Sequence, residues 1–160
     1  VPQLTVNNEV FQYPSPGDEP GWGEGATAWA VAVTDVLNTL LGPGDILNTT
    51  FSVANNQTSV TNVTGCIFDS TIVRAANVSY SIYRKTDSFT SGNTEAGTLL
   101  ITYDNAAALG SKWTLVQNAS GSAGVSFSIN DSGQVQYIST DLTGANHLCT
   151  MKFSAKTLAQ

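Results

Sequence analysis

Along most of this chain the apolar positions recur at every second residue. Ala76, Val78, Tyr80 and Ile82 alternate with Asn77, Ser79, Ser81 and Tyr83. That is the period of a strand with one face in a core and the other outside it. Residues 47–53, 66–68, 99–103 and 113–117 carry shorter stretches of the same kind. Val125, Phe127 and Ile129 alternate with Ser126, Ser128 and Asn130, and Val135 and Tyr137 resume the alternation after Asp131-Ser132-Gly133. The loop length and its glycine predict a hairpin closed by a type I turn with a G1 bulge. In the last strand, 147–157, Cys149, Met151, Phe153 and Ala155 share one face. Turn signals about every 8–12 residues predict a mainly β fold. The expectation is an antiparallel β-sandwich or small barrel of about seven or eight strands over 45–160.

The first quarter of the chain breaks this period. Ala26, Trp29, Ala30, Val33, Leu37, Leu40 and Leu41 fall on one helical stripe. Gly42-Pro43-Gly44 ends it, so a helix is expected over about 26–41. The opposite face (Ala28, Val31, Ala32, Asp35, Thr39) carries one charge, fewer than a helix packed on one side and wet on the other would show. Before it stand Pro2, Pro14, Pro16 and Pro20. Proline fixes φ and removes a donor, which excludes a central strand or a helix interior there. A short edge strand is expected at 3–6 and an extended docking arm over 1–24, with the helix in 25–42, in a single globular domain overall. Phe11, Tyr13 and Trp22 give that arm apolar area to bury.

Composition strengthens the β reading. Only 11% of residues are charged, against about 25% in typical domains. Twenty Thr, sixteen Ser and thirteen Asn supply the polarity instead; Thr suits pleated surfaces and Ser and Asn suit turns. The formal net charge of −6 with six scattered basic residues argues against nucleic acid and against an anionic membrane surface. The longest apolar run, 28–33, falls well short of the about 20 residues of a membrane span.

Candidate chemistry is sparse. His147 is the one histidine, with no G-x-S-x-G nucleophile elbow to serve. Asp18, Glu19 and Glu24 are the densest carboxylates, but a Pro/Gly arm is a poor place to hold the fixed separation that glycoside hydrolysis needs. Asp131-Ser132-Gly133 and Asp104-Asn105 resemble fragments of a calcium loop without its remaining ligands. Cys66 and Cys149 read as buried thiols, with a disulfide as the alternative. The six Asn-x-Ser/Thr triplets follow from composition. Trp22, Tyr83 and Trp113 are candidates for stacking on sugars, and core packing or subunit contact explains each at least as well. No catalytic residue, cofactor or metal is expected.

The stretches FQYPSPGDEPGWGEGATAWAVAVTDVLNTL and GVSFSINDSGQVQYIST, with MKFSAKTL near the end, resemble small structural proteins of tailed-phage virions, of the head-decoration, head-fibre or tail-fibre type. The block around Gly21-Trp22-Gly23-Glu24 is the more specific part. The resemblance implies a homotrimer with a β-barrel or sandwich per subunit, N-terminal regions that dock on the particle, and no catalytic residues. The expectation is a non-enzymatic capsid decoration or head-fibre protein on the virion exterior, made in the bacterial host cytoplasm, with the major capsid protein or another virion protein as partner. The alternative is a tail-fibre or receptor-binding module that recognises host surface glycan. Phe11, Tyr13, Trp22, Trp29, Val33 and Leu37 are the expected assembly residues.

Overall fold

The computed structural model describes residues 3–6, 9–12 and 22–160. The chain forms two compact units, Val1–Gly42 and Pro43–Gln160. Their boundary falls on the Gly-Pro-Gly stop, where Gly44 takes φ +87°.

In the first unit, β1 (Gln3–Val6) and β2 (Glu9–Gln12) pair antiparallel, with Gln3 opposite Gln12 and Val6 opposite Glu9. They precede α1 (Trp22–Leu40). The short strand expected at 3–6 is β1, paired with β2, and one expectation shifts here. The helix begins at Trp22 rather than near 26. Gly23 and Gly25 each cost about 1 kcal/mol against Ala in a helix, which favours a later start on propensity alone. The Thr27 hydroxyl donates to the Gly23 carbonyl at 2.7 Å, within that first turn. Tyr13 and the proline-rich stretch through Gly21, Asp18 and Glu19 included, lie outside the described residues.

The second unit contains β3 (Ile46–Ser52), β4 (Thr61–Ile67), β5 (Val73–Lys85), β6 (Asn93–Tyr103), β7 (Trp113–Gly121), β8 (Val125–Ile129), β9 (Gln134–Ser139) and β10 (Leu148–Ala159). They form two antiparallel sheets, ordered β3-β10-β5-β6-β7 and β4-β9-β8. Of the two expected architectures this is the sandwich; the sheets do not close into a barrel.

The alternation read from the sequence is the alternation of burial. β5 and β10 send Val78, Tyr80 and Ile82 and Cys149, Met151, Phe153 and Ala155 inward. Val63 and Cys66 of β4, Val125 of β8, and Val135 and Tyr137 of β9 meet them from the other sheet. Two ring pairs lock the layers edge to face: Phe51 with Tyr137 at 5.4 Å, and Tyr80 with Phe127 at 5.2 Å between centroids. Such pairs contribute about 0.5–1.5 kcal/mol beyond area burial. Both cysteines are buried free thiols.

β4 joins β9 with a break in register between Asn62 and Ile67. The Gln134 amide closes the gap by donating to the Val63 and Cys66 carbonyls, each at 3.0 Å. The hairpin between β8 and β9 has the expected chemistry. Asn130 Oδ1 accepts from Ser132 N and Gln134 N, both at 3.1 Å, and Gly133 takes φ +77°. A Cβ at Gly133 would sit 2.0 Å from the Phe68 carbonyl oxygen, so glycine is needed for space as well as for backbone angle.

Candidate functional sites

Three places hold side chains with something other than core packing to do: the surface of α1, the polar clusters inside the sandwich, and the outer face of the five-stranded sheet.

On α1 the stripe read from the sequence has a regular spacing. Ala26, Ala30, Val33, Leu37 and Leu40 recur at intervals of 4, 3, 4 and 3, the a/d repeat of a helix that packs along other helices. Leu37 is 51% and Leu40 64% exposed, and Trp29 and Val31 are exposed as well. Val33 is half-buried. Helix α1 carries Glu24 and Asp35 as its only charged residues. Of the remaining expected assembly residues, Phe11 lies in β2 opposite Leu4 and Trp22 opens α1. The side chains of Phe11, Trp22 and Glu24 lie outside those described, as does Tyr13.

Inside the sandwich, the ionisable groups serve the fold. Arg84 is 1% exposed. Its guanidinium donates to the carbonyls of Ala123 at 2.6 Å and Thr140 at 2.8 Å, and to Asn55 Oδ1 at 2.8 Å. These acceptors are neutral, and they belong to three separate loops. Asn55 Oδ1 also accepts from Leu142 N at 2.9 Å, so one buried cation fastens the loops after β3, β7 and β9. His147 lies beside this cluster, and burial first, then the Arg84 charge, holds its pKa below the usual histidine range. Its Nε2 is buried with no hydrogen-bond partner among the described residues, the setting of a packed side chain.

Glu95 is the second buried group. Its carboxylate accepts from Tyr80 OH at 2.6 Å, Gln117 Nε2 at 2.9 Å and Ala123 N at 2.7 Å. Burial and this carboxylate push the Tyr80 phenol well above its ordinary range. Asp131 accepts from the backbone N–H groups of Gly110 and Lys112, which ties two loops together. Asp45 accepts from Thr157 N at 2.7 Å and pairs with Lys156 at 2.6 Å.

The outer face of the five-stranded sheet differs from both. Ser81 and Tyr83 of β5, Thr94 and Ala96 of β6, Ser120 and Gly121 of β7, and Thr150 and Lys152 of β10 line an open groove of about 540 Å³. Tyr83 is 40% exposed. Trp113, grouped with it on sequence, is instead buried against Phe68 and Tyr103. It opens β7 opposite Tyr103, where its side chain faces the core.

Arg84 and Glu95 were not singled out by the sequence. The Arg84 partners are largely backbone carbonyls from distant loops, and the Glu95 partners Tyr80 and Gln117 come from the two flanking strands; residue type reveals neither. The outward direction of Tyr83 was legible, because the alternation of β5 fixes it.

No protein-family model matches the chain, and no curated protein matches it. Among solved structures the chain is similar to the tailspike protein of Acinetobacter phage vB_ApiP_P1, at 15% identity and a TM-score of 0.38, over 75% of this chain and 21% of that one. It is also similar to the tailspike protein of Acinetobacter baumannii phage AM24, at 10% identity and a TM-score of 0.35, over 74% of this chain and 26% of that one. The chain therefore spans about a fifth and about a quarter of those two proteins. A likeness this loose carries no argument about function.

Proposed function

We propose that this chain is a non-enzymatic structural protein of a tailed-phage virion, held on the particle exterior through its N-terminal unit, with the sandwich displayed. The observation that carries the reading is the surface of α1. A helix that exposes Trp29, Val31, Leu37 and Leu40 presents apolar area of the kind that marks a protein contact. The a/d spacing fits other copies of the same helix, and a homotrimer is the closed assembly that the sequence resemblance implies. In the sandwich, Arg84, Glu95 and Asp45 are engaged by the fold's own backbone and side chains, which favours a structural role over a catalytic one.

In the head-decoration form of this reading, the apolar residues left over bury against the major capsid protein. Binding the assembled particle then stabilises it by mass action. The test uses the full chain with Leu37 and Leu40 changed to Gln. The parent is expected to sediment as an oligomer and to stay with purified particles. The variant is expected to sediment as a monomer and to lose at least about tenfold in particle affinity, with an unchanged unfolding midpoint for the sandwich. A variant that stays oligomeric and particle-bound sinks the proposal. Copy number separates the two placements: counts near a multiple of the capsid sites favour head decoration, and a handful per particle favours the tail.

A further inference from the structure

The groove beside Tyr83 is built from two rows of residues that cross the sheet. In one row Thr150, Tyr83 and Thr94 lie side by side; in the next Lys152, Ser81, Ala96 and Ser120 do. Neighbouring strands stand about 4.8 Å apart, so the second row is about 14 Å long. That step is close to the advance of one pyranose unit in an extended glycan.

Each part of the groove has a chemical use. The Tyr83 ring stands out of the sheet and rests against the backbone at Gly92, where a Cβ would fall 2.4 Å from the ring's Cε2. Ala96 and Gly121 are small, which keeps the floor low. Gly121 has φ +81°, and a Cβ there would lie 2.4 Å from the Thr94 carbonyl oxygen. The hydroxyls of Ser81, Thr94, Ser120 and Thr150 make no hydrogen bond among the described residues, so they are available to a ligand. Glu95 sits on the same strand, but its carboxylate is spent inside on Tyr80, Gln117 and Ala123. The outward charge in the groove is Lys152, which has no ion-pair partner among the described residues. Lys152 is thus the one charge the groove turns outward, with the Glu95 carboxylate on its inner side.

We infer that this groove binds an acidic saccharide, a pyranose chain that bears carboxylates. An apolar sugar face stacks on the Tyr83 ring, sugar hydroxyls exchange hydrogen bonds with the Ser and Thr hydroxyls, and Lys152 meets the carboxylate. Its volume lies within the about 300–1,000 Å³ of small-molecule sites. The inference goes beyond the attachment role and does not depend on it, because α1 supplies none of these residues. Failure of the helix experiment leaves it standing, and its own failure leaves the attachment role untouched.

The test is an NMR titration of the full chain with a panel of galacturonate, glucuronate and sialic-acid oligosaccharides, each paired with its methyl ester. With at least one acid at millimolar concentration, the amides of residues 81–83, 94–96, 120–121 and 150–152 are expected to shift. Tyr83→Ala should weaken binding about tenfold or more, the loss of one stacking contact and its orientation. Lys152→Gln should bring the acid down to the affinity of its ester. Ala96→Phe, which fills the floor and leaves Tyr83 in place, should block binding. All three side chains point away from the core, so thermal midpoints report that the fold is kept. The inference is overturned if no acid in the panel shifts these amides. It is also overturned if ester and acid bind the parent equally, or if Tyr83→Ala and Ala96→Phe bind as the parent does.

Discussion

α1 and β10 are almost equally apolar, with eleven of nineteen and seven of twelve residues, yet they use that character in opposite ways. β10 lies between β3 and β5 and buries Cys149, Met151, Phe153 and Ala155 in strict alternation. α1 leaves Leu37 and Leu40 more than half exposed. Burial is worth about 25 cal/mol per Å² of apolar surface wherever the covering comes from. For β10 the covering comes from the same chain, so its contribution is independent of concentration. For α1 it comes from other chains in the proposed assembly, so its contribution grows with concentration. The sandwich should therefore behave as a self-contained folding unit, and α1 as a contact that forms by association.

The largest test of that contrast is Arg84→Ala. Truncation takes the Arg84 donor from the Ala123 carbonyl, and leaves the Thr140 carbonyl and Asn55 Oδ1 with only the Asn56 and Leu142 backbone N–H groups. We expect a loss of roughly 3 kcal/mol or more in urea unfolding, equal at low and high protein concentration. A concentration-dependent loss would break the comparison.

Next comes alkaline pH. Burial pushes the Cys66 thiol up to about 12 and the Cys149 thiol up to about 11, with Arg84 pulling the latter back. Both values are raised over the unfolded 9.0, so the folded state holds protons that the unfolded state gives up. Their contribution is complete below pH 9 and falls as pH rises toward the folded values. Urea midpoints should drop from about pH 9 toward about pH 11, and Cys66→Ala should flatten that drop. An equal drop in the variant would remove Cys66 as the cause.

A smaller contrast sits on one ion pair. The Asp45 side chain is 5% exposed and that of Lys156 69%. Asp45→Ala takes the acceptor from the Thr157 backbone N–H, while the Thr157 hydroxyl keeps the Pro43 carbonyl, and should cost about 1–3 kcal/mol. Lys156→Ala should fall within about 0.5 kcal/mol of the parent, as exposed pairs do. Equal losses would mean that the charge pair, not the backbone cap, holds this corner. Smallest of all, Leu37→Gln with Leu40→Gln should leave the sandwich midpoint where it is while the mass in solution falls.

Much of the sandwich was legible because a half-buried strand writes its burial into every second residue. Val78, Tyr80 and Ile82 could be placed inside and Ser81 and Tyr83 outside before any register was known. Trp113 shows the limit: at the first position of a strand the alternation has no preceding residue to set its phase, and a large ring looks alike on either face. The Arg84 cluster was illegible for a different reason. Three of its acceptors are backbone carbonyls, present at every residue, and only the fold brings residues 84, 123, 124 and 140 together. Of the pair β1 and β2, the strand at 3–6 could be read and its partner at 9–12 could not. Of the candidate sites, the α1 stripe and the direction of Tyr83 could be read from spacing. The groove could not, because its walls come from four strands whose order is a property of the sheet.

The place of β10 in that order has a consequence for synthesis. It is the last strand of the sandwich, and it is also an interior one, bonded to β3 on one side and β5 on the other. Until residues 148–159 have left the ribosome, β3 has no neighbour in the sheet, and one edge of β5 stands open along thirteen residues. The larger sheet is therefore completed after translation of this unit, through contacts that span most of its length, a topology that folds slowly and exposes strand edges while it waits. A unit cut short before Leu148 lacks the strand that joins β3 to β5, so the five-stranded sheet has no route to completion.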